Sequence, residues 1–592
     1  MAQKDTSPSL AALPSELFDH IVTQLPNGDI KSLRLTSSAL HNLVPLRLNR
    51  VFISANPLDI KVLREIADHE EFRKEVVEII WDDTYFMNAK DITKPEVAAL
   101  EEFDMPEKVR VHVNHTHHCP KWYYRKSRER IAELAKSKGN DTNRPDHLAR
   151  MRQLAAQMSP HDSYTHYYEL AEQQRRVLSS RADVHAFMYV LNRLPSLRRV
   201  TISTRAHGRL FTPMYETPTI RAFPFGFVHP PTIADPSDQN AHFLWGELSD
   251  EEWVRRKYFI YRRGLCSALR MLARHGNHNV SEFIVEEQGG SSRSLCDLIF
   301  TQQTRDDLIS LLKRPSFRRL DLALAEIPHR TPDRIERSFI EMARSQTIGL
   351  QHMSLSNSLT AGDSIEGRAW DILTGPYINL PSHIFNLSAM FPVRQLKHLA
   401  LRGVLIDKDE LVALLASKPN LRSVELRFIR FAIRRQENWI TYRHKSRNYR
   451  DFLYDVRDTL GWRDRPRALR PKLTIILTAR TLVEGQIVRL DSAIDEFLYE
   501  DGENPFVPTP FQEDNHGVLS IPDVTAHELC SGKGIEVDEF EPAHERPNVD
   551  DETLSRLGIT RETSYGRWET GPWGPQTLPT AQEQGLDESV PT

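Results

Sequence analysis

The sequence predicts an α/β fold in which helices alternate with the strands of a parallel sheet. The main observation is a recurring pattern of an apolar residue, two variable residues, an apolar residue, one variable residue and a further apolar residue. The pattern occurs seven times, beginning at Val76, Leu197, Val280, Phe317, Leu350, Leu396 and Leu421. Its last two apolar positions alternate as one face of a strand requires. Seven copies favour a repeated structural unit over chance.

Three of the seven copies share a longer frame in which a helix ends, a proline turn follows and a strand begins. These frames cover residues 191–197, 312–317 and 415–421, and the middle of each reads Pro-Ser or Pro-Asn. Proline stops the helix and directs the chain into the sheet. Each unit leaves one face bare and must stack on its neighbours. We therefore expect a curved parallel sheet inside and helices outside.

This organisation resembles the leucine-rich repeat with irregular spacing, since the copies in the more regular stretch begin 25 to 46 residues apart. Strands of such a sheet leave alternate side chains on a concave surface. We predict candidate substrate-binding residues there, namely Arg199, Thr201, Arg319, Asp321, His352, Ser354, His398, Arg402, Glu425 and Arg427, with Ser203, Ser356 and Ser423 beside them. Their mixed polar character favours a protein surface over a small-molecule site. The alternative is that they are only the hydrated side of a sheet.

The segment 13–44 predicts the first of three short helices near the N-terminus. It reads LPSELFDHIVTQLPNGDIKSLRLTSSALHNLV. Leu17, Ile21 and Leu25 recur every four residues, so they share one side of a helix. We expect this helix to start near Pro14, because proline is well tolerated in a first helical turn.

Two further helices are expected in the same segment. Pro-Asn-Gly-Asp at 26–29 is a strong turn, with Asp29 as the expected cap of the second helix. Leu40, Leu43 and Val44 form the apolar face of the third. Three short helices cannot bury all these leucines among themselves, so part of the surface should contact a partner. The alternative is a small helical cap that closes the body of the protein.

The order of motifs in this segment resembles the F-box. The shared features are Leu-Pro-x-Glu-Leu, a helix ending in Leu-Pro, and Asp-Ile-x-x-Leu-Arg-Leu. The chain has Leu35-Thr36 and Leu40 where many members have Val-Cys and an aromatic residue. The resemblance implies a surface that binds the Skp-type adaptor of an SCF ubiquitin ligase, formed by Leu13, Pro14, Leu17, Ile21, Leu25, Ile30, Leu33 and Leu40.

Together the two resemblances predict a substrate-recognition adaptor of an SCF-type E3 ubiquitin ligase. The F-box would bind a Skp-type adaptor, and through it a cullin, while the repeat body would bind a protein substrate that the sequence does not identify. We predict no catalytic residues, because the sequence contains no phosphate-binding loop, nucleophile elbow or His-Glu-x-x-His motif. An F-box and repeat scaffold acting outside ubiquitin transfer stays open as an alternative.

The domain organisation follows from these features and from the distribution of charge. We predict an F-box at 10–50, a linker helix and first repeat strand at 51–90, a helical insertion at 91–180, irregular leucine-rich repeats at 181–480 and a largely disordered, acidic, Pro-rich tail at 481–592. From Glu500 onward there are 20 Asp and Glu against 5 Lys and Arg, so the rest of the chain has a net charge of +11. Such a tail is typically solvated, and in some proteins it is a regulatory arm that competes for a basic surface.

The composition favours a protein of the cytoplasm or nucleus without a membrane partner. No stretch approaches the roughly 18 apolar residues of a membrane helix. The four cysteines are far apart and suggest neither disulfides nor a zinc site. Four histidines, His112, His115, His117 and His118, lie beside Cys119. A second ligand pair at suitable spacing is missing, so we expect no metal and no cofactor.

The segment 427–472 raises a nucleic-acid-binding alternative. It has 14 basic against 5 acidic residues, interleaved with Trp439, Tyr442, Tyr449, Phe452, Tyr454 and Trp462. Tyr449, Phe452, Leu453, Val456 and Leu460, however, follow the spacing of one helical face. We therefore predict a buried helix with a solvated basic back, and we do not expect nucleic acid as a partner.

Overall fold

The computed structural model describes residues 13–86, 119–136, 145–230, 263–286, 302–324, 349–357, 395–431, 449–478 and 487–506 with short gaps, and residues 10, 535–537 and 545–547. The four histidines before Cys119, and Trp439 and Tyr442, lie outside these residues. Within them, no three His, Cys, Asp or Glu side chains are grouped to hold a metal ion. None of the described helices combines the length and apolarity needed to span a bilayer.

The fold is a mixture of helices and strands built on a ten-stranded sheet. The strands are β1 (Arg50–Ser54), β2 (Glu78–Asp82), β3 (Arg199–Ser203), β4 (Glu282–Val285), β5 (Arg319–Leu324), β6 (His352–Asn357), β7 (His398–Arg402), β8 (Leu405–Ile406), β9 (Ser423–Arg427), β10 (Arg430–Phe431), β11 (Lys472–Thr478), β12 (Ile487–Arg489), β13 (Ile535–Val537) and β14 (Glu545–Pro547).

The order of strands in the sheet follows their order along the chain. Nine strands, β1 to β7, β9 and β11, run parallel to their neighbours, and β12 pairs antiparallel with β11. β8 and β10 form a separate parallel pair, and β13 and β14 form an antiparallel pair. A parallel neighbour requires a crossover connection, and most of these connections contain a helix. The prediction of an α/β fold with a parallel sheet is confirmed.

The helices are α1 (Ser15–Gln24), α2 (Asn27–Thr36), α3 (Ser38–Leu43), α4 (Pro57–Asp68), α5 (Phe72–Glu75), α6 (Lys121–Lys136), α7 (Pro145–Ala155), α8 (Pro160–Ser180), α9 (Ala182–Leu191), α10 (Pro218–Arg221), α11 (Arg263–Arg274), α12 (Gln302–Leu312), α13 (Lys408–Ala416), α14 (Tyr449–Thr459) and α15 (Asp491–Tyr499). A single 3₁₀ turn, Arg467–Leu469, precedes β11. In its described part, the predicted helical insertion at 91–180 contains α6, α7 and α8.

All seven copies of the apolar pattern form strands, namely β2 to β7 and β9. Two strands of the parallel sheet were not predicted. β1 in fact follows the same pattern through Leu48, Val51 and Ile53, whereas β11 has Arg470 where the first apolar residue would stand. The three proline frames are also confirmed, because α9, α12 and α13 each end just before the proline turn.

A single apolar core joins one face of the sheet to the helices. Val200 and Ile202 of β3 and Leu399 and Leu401 of β7 belong to the same buried cluster as Phe187 of α9. These strand residues alternate with polar ones, so the opposite face of the sheet carries the polar side chains. The core therefore determines which side chains of each strand face away from the helices.

The folded body extends further toward the C-terminus than the sequence predicts. β12 and α15 lie within the predicted tail, and Ile494, Phe497 and Phe506 are buried in the main core. The apolar spacing in α15 is short, which explains why the acidic composition around it dominated the prediction. Apart from β13 and β14, the rest of the predicted tail lies outside the described residues.

The basic segment 427–472 contributes a buried helix, as predicted. Tyr449, Phe452, Leu453 and Val456 of α14 are completely buried. Trp462 is also buried. Base stacking needs an accessible aromatic face, so these rings are not available to single-stranded nucleic acid.

Candidate functional site

The three N-terminal helices form a small apolar cluster of their own. Phe18 and Val22 of α1 pack with Ile30 of α2 and with Val44, which follows α3. Arg34 ties the second and third helices together by donating to the backbone carbonyl of Val44. These four apolar side chains are buried, and they belong to no other described cluster.

The side of α1 adjacent to this buried stripe is an exposed apolar surface. Leu13, Leu17 and Ile21 are 38%, 56% and 39% exposed, and Pro14 beside them is exposed as well. Leu17 and Ile21 lie one helical turn apart, so they form one stripe with Leu13 at its start. We call Leu13, Pro14, Leu17 and Ile21 the α1 surface. Exposed large apolar side chains grouped in this way are typical of a protein contact.

Two further leucines of the helical segment are exposed. Leu35 near the end of α2 is 86% exposed, and Leu43 at the end of α3 is 52% exposed. The predicted partner surface included neither of them. Leu35 stands where the sequence departs from the residues that many F-box proteins have, and this departure is the sequence signal that could have indicated it.

One predicted adaptor-binding residue is wrongly placed and three others are only partly accessible. Ile30 is completely buried, because it faces Phe18 and Val22. Leu25, Leu33 and Leu40 are half-buried and pack against the same cluster. The predicted spacing of one helical face in α1 is correct. Ile30, however, is covered by the side of α1 that carries Phe18 and Val22, and not by the side that carries Leu17.

The starts of the three N-terminal helices can be compared with the prediction. α1 begins directly after Pro14, as predicted. α2 begins at Asn27, so Asp29 lies in its first turn and is not its cap as predicted. The Ser37 hydroxyl accepts from the Leu40 amide at 3.2 Å and caps α3.

The polar face of the sheet is a ladder of charged side chains. Strand register places the following residues side by side along its first row: Arg50, Glu78, Arg199, Glu282, Arg319, His352, His398, Ser423 and Lys472. Arg50 Nε lies 2.9 Å from Glu78 Oε2. Arg199 Nη2 lies 2.5 Å from Glu282 Oε2. Opposite charges on neighbouring strands thus neutralise one another within the row.

The ladder continues through a carboxylate and two histidines. Arg319 Nη2 donates to Asp321 Oδ2 at 2.7 Å, and Asp321 Oδ1 lies 3.1 Å from His352 Nε2. His352 stacks on His398, whose Nδ1 lies 2.5 Å from the Ser423 hydroxyl. Burial lowers the pKa of His352 to about 3, and the neighbouring His398 and Arg319 act in the same direction.

Part of this face is covered by the segment that follows β3. Ile80 of β2 is completely buried against Ala206 and Tyr215. Tyr215 also donates through its hydroxyl to Glu286, just after β4. His207 Nε2 lies 3.3 Å from Asp82 Oδ2 at the end of β2. The polar face is therefore closed over β2 and its neighbours.

The helical insertion packs on the same covering segment. Tyr123 of α6 and Tyr167 of α8 share a cluster with Phe227, and the Tyr123 hydroxyl donates to the Val228 carbonyl at 2.6 Å. Arg130 Nη1 lies 3.1 Å from His229 Nδ1. Burial, with Arg130 as the next cause, lowers the pKa of His229 well below its usual value.

The predicted substrate-binding face is thus largely inaccessible. Six candidates are at most 4% exposed: Arg199, Thr201, Arg319, Asp321, His352 and His398. Ser203 is buried too, and the expectation that these residues form an open surface is wrong. Arg199 pairs with Glu282 of the next strand, and Arg319 donates to Asp321 of its own strand. The segment after β3 covers part of the same face. Ser354, Ser423 and Glu425 are half-buried, whereas the side chains of Arg402, Arg427 and Ser356 lie outside the described residues.

A half-buried carboxylate lies just after β2, against the start of α11. Asp83 accepts from the backbone amides of Gly264 and Leu265 at 2.9 and 3.3 Å. Burial raises the pKa of the Asp83 carboxyl to about 7 despite these hydrogen bonds and the nearby Arg263. Arg263 itself donates to Asp183 of α9. This network joins elements of the body.

No protein-family model matches the sequence, and no curated protein matches it with significant similarity.

Proposed function

We propose that the chain is the substrate-recognition adaptor of an SCF-type ubiquitin ligase. The observation that carries the proposal is the α1 surface, on which Leu17 and Ile21 stay exposed although the same helix buries Phe18 and Val22. Large apolar side chains that are exposed one helical turn apart, as Leu17 and Ile21 are, usually mark a contact with a partner. The order of motifs in 13–44 supports a Skp-type adaptor as that partner.

Leu35 and Leu43 extend the surface that we propose for the adaptor. Both are more than half exposed and belong to the same three-helix segment as the α1 surface. Burying a leucine or isoleucine side chain completely contributes roughly 1.5 to 3 kcal/mol. Partial burial of several such side chains is enough for a specific complex, because a few apolar residues usually dominate the affinity.

We further propose that the parallel sheet and its helices form an irregular leucine-rich-repeat solenoid. The support is the order of strands along the chain and the pattern of buried residues that repeats in β2 to β7 and β9. In this proposal a protein substrate contacts the polar face near β6 to β9. Ser354, Ser423 and Glu425 keep partial exposure there. Catalysis comes from other subunits, and this chain contributes proximity.

The adaptor contact is tested by co-purification of the full chain with a purified Skp-type adaptor. Leu17→Ala with Ile21→Ala should weaken binding at least about tenfold, since each truncation removes roughly 1 kcal/mol of apolar contact. Asp19→Ala with His20→Ala is the matched control, because both residues are exposed polar positions of the same helix. Equal binding by wild type and the Leu17 and Ile21 variant would reject the proposal.

The same preparation distinguishes ubiquitin transfer from a scaffold role. An SCF substrate adaptor should bring the cullin down through the Skp-type adaptor. Binding of the Skp-type adaptor with cullin excluded, under conditions in which a known F-box protein retains cullin, would favour the scaffold alternative.

A further inference from the structure

One edge of the parallel sheet is strongly basic. The N-terminal ends of parallel strands meet at the same edge, so the segments that lead into β3 to β7, β9 and β11 lie together there. These segments are 192–198, 275–281, 313–318, 349–351, 395–397, 417–422 and 460–471. They contain twelve Lys and Arg but only one acidic residue, Asp464. The charge ladder inside the sheet is balanced, whereas this edge is not.

The centre of the edge carries exposed cations in a fixed row. Lys313, Arg318, Lys397 and Arg422 are all exposed, and we call them the basic rim. Backbone hydrogen bonds connect the row: the amide of Gln351 donates to the Arg318 carbonyl at 2.8 Å, Lys397 to Gln351 at 2.7 Å and Arg422 to Lys397 at 2.7 Å. Neighbouring strands are about 5 Å apart, so Lys397 and Arg422 lie side by side.

Such a row of like charges is unfavourable unless an anion neutralises it. Within the part of the chain that the structure describes, the rim residues form no ion pair. Helix ends explain only part of the row, since a basic residue after a helix C-terminus is favoured by the helix dipole. That reason applies to Lys313, which follows α12. Arg318, Lys397 and Arg422 each directly precede a strand, so their recurrence calls for another explanation.

The chain contains a segment of matching charge. Residues 535–552 hold eight Asp and Glu and a single basic residue, Arg546. Two parts of this segment, β13 and β14, pair antiparallel, with Glu536 opposite Arg546 and Val537 opposite Glu545.

The connection between body and segment is long enough for an intramolecular contact. Phe506 is fixed in the body, where it stacks on Tyr449 with ring centroids 5.4 Å apart. Tyr449 begins α14, and the far end of this helix is about 16 Å away. That end leads into 460–471, one of the segments at the basic edge of the sheet. Residues 507–534 separate Phe506 from β13, and a flexible chain of 28 residues would span roughly 30 Å. That reach exceeds the about 19 Å from β11 to β5 across the sheet.

We propose that the acidic segment 535–552 binds the basic rim of the same chain. The tether gives the segment an effective concentration on the order of millimolar, which favours this contact over one with a second copy or with another polyanion. The basic edge of the sheet is then covered by the protein's own tail. This contact is independent of the α1 surface and of the proposed adaptor function.

Zero-length carbodiimide cross-linking of the full chain tests the proposal. The reagent joins a lysine amine to a carboxylate in contact with it, and Lys313 and Lys397 are the lysines of the rim. At low salt, mass spectrometry should identify links from Lys397 or Lys313 to acidic residues of 535–552 within one chain. At about 1 M salt the Debye length falls to about 3 Å, and the links should be lost.

The decisive comparison uses a charge reversal on the rim. Arg318→Glu with Arg422→Glu should abolish the links from Lys397, although Lys397 itself is unchanged. Arg128→Glu with Arg176→Glu, two exposed arginines of the insertion helices, makes the same change in net charge and should keep the links. Links that persist in the rim variant, that are missing from the wild type, or that join only isotopically distinct copies would overturn the proposal.

Discussion

The imidazole rings of His352 and His398 stack on adjacent strands, with centroids 4.2 Å apart and planes 19° from parallel. Both residues are almost completely buried in the charge ladder on the polar face of the sheet. A proton on the His352 ring is disfavoured, because burial penalises the charged form and both His398 and Arg319 lie close to it. The pKa of His352, about 3, reflects this environment.

This stack predicts a loss of stability in acid. Unfolded His352 takes up a proton near pH 6.5, while the folded state resists protonation until about pH 3. The contribution of His352 to stability is therefore present above pH 6.5 and is lost as the pH falls, by about 1.4 kcal/mol per pH unit. His352→Phe should show a shallower decline between pH 7 and pH 5 in chemical denaturation. Parallel pH profiles for the two proteins would contradict the prediction.

Asp83 predicts the opposite pH dependence. Its folded-state pKa of about 7 lies above the unfolded value of 3.8, so the folded chain holds an extra proton between these values. The stability that results is present below about pH 4 and is lost as the pH rises through 7. Asp83→Asn keeps an acceptor for the Gly264 amide and removes the titration. Between pH 5 and 8, the unfolding free energy of this variant should decline less than that of the wild type. A decline as steep as that of the wild type would count against the prediction.

The side chain of Arg314 connects successive units of the body, and we predict that this connection stabilises the fold. Its Nη2 donates to the carbonyls of Leu272 and His275, at 2.6 and 2.9 Å, at the end of α11. Hydrogen bonds from a charged group contribute about 1.5 to 3 kcal/mol. Arg314→Ala should lower the free energy of unfolding by about 2 kcal/mol, whereas the exposed neighbour change Lys313→Ala should alter it by less than about 0.5 kcal/mol. Equal effects of the two changes, measured by urea denaturation, would refute the role of Arg314.

Ile30 and Leu17 should respond differently to truncation. Ile30→Ala creates a cavity among Phe18, Val22 and Val44, and such changes cost about 2 to 5 kcal/mol. Leu17→Ala removes exposed surface and should leave the segment folded. Amide hydrogen exchange in 15–43 should therefore accelerate in the first variant and not in the second. Unchanged exchange after Ile30→Ala would show that Ile30 is not a core residue.

The sequence was most informative where one periodicity determined the structure. The apolar pattern predicts the strands beginning at Glu78, Arg199 and His398 because their inward residues must be buried together. The pattern does not predict β11, because Arg470 replaces its first apolar residue. It does not predict α15, because acidic residues surround the short apolar face of that helix. The local pattern thus identifies the repeated strands but not the last units at the C-terminal end of the sheet.

The accessibility of the polar side chains could not be predicted from the strands alone. Alternation places Arg199 and Asp321 on the face away from the helices, and that placement is correct. Their burial depends on partners from other strands, such as Glu282 for Arg199. It also depends on the distant segment that carries Tyr215 and covers part of the same face. The exposure of Leu17 beside buried Phe18 likewise depends on how α2 and α3 pack. These are tertiary effects that no single periodicity contains.

The antiparallel pairing of β12 with β11 has a consequence for assembly during synthesis. Each earlier strand needs only the strand before it as a template, so the sheet can grow one strand at a time as the ribosome delivers the chain. The reversal at Ile487–Arg489 interrupts that progression. Because β12 has only three residues, it offers few backbone groups to a further strand, and edge strands this short are one way in which proteins limit edge-to-edge association.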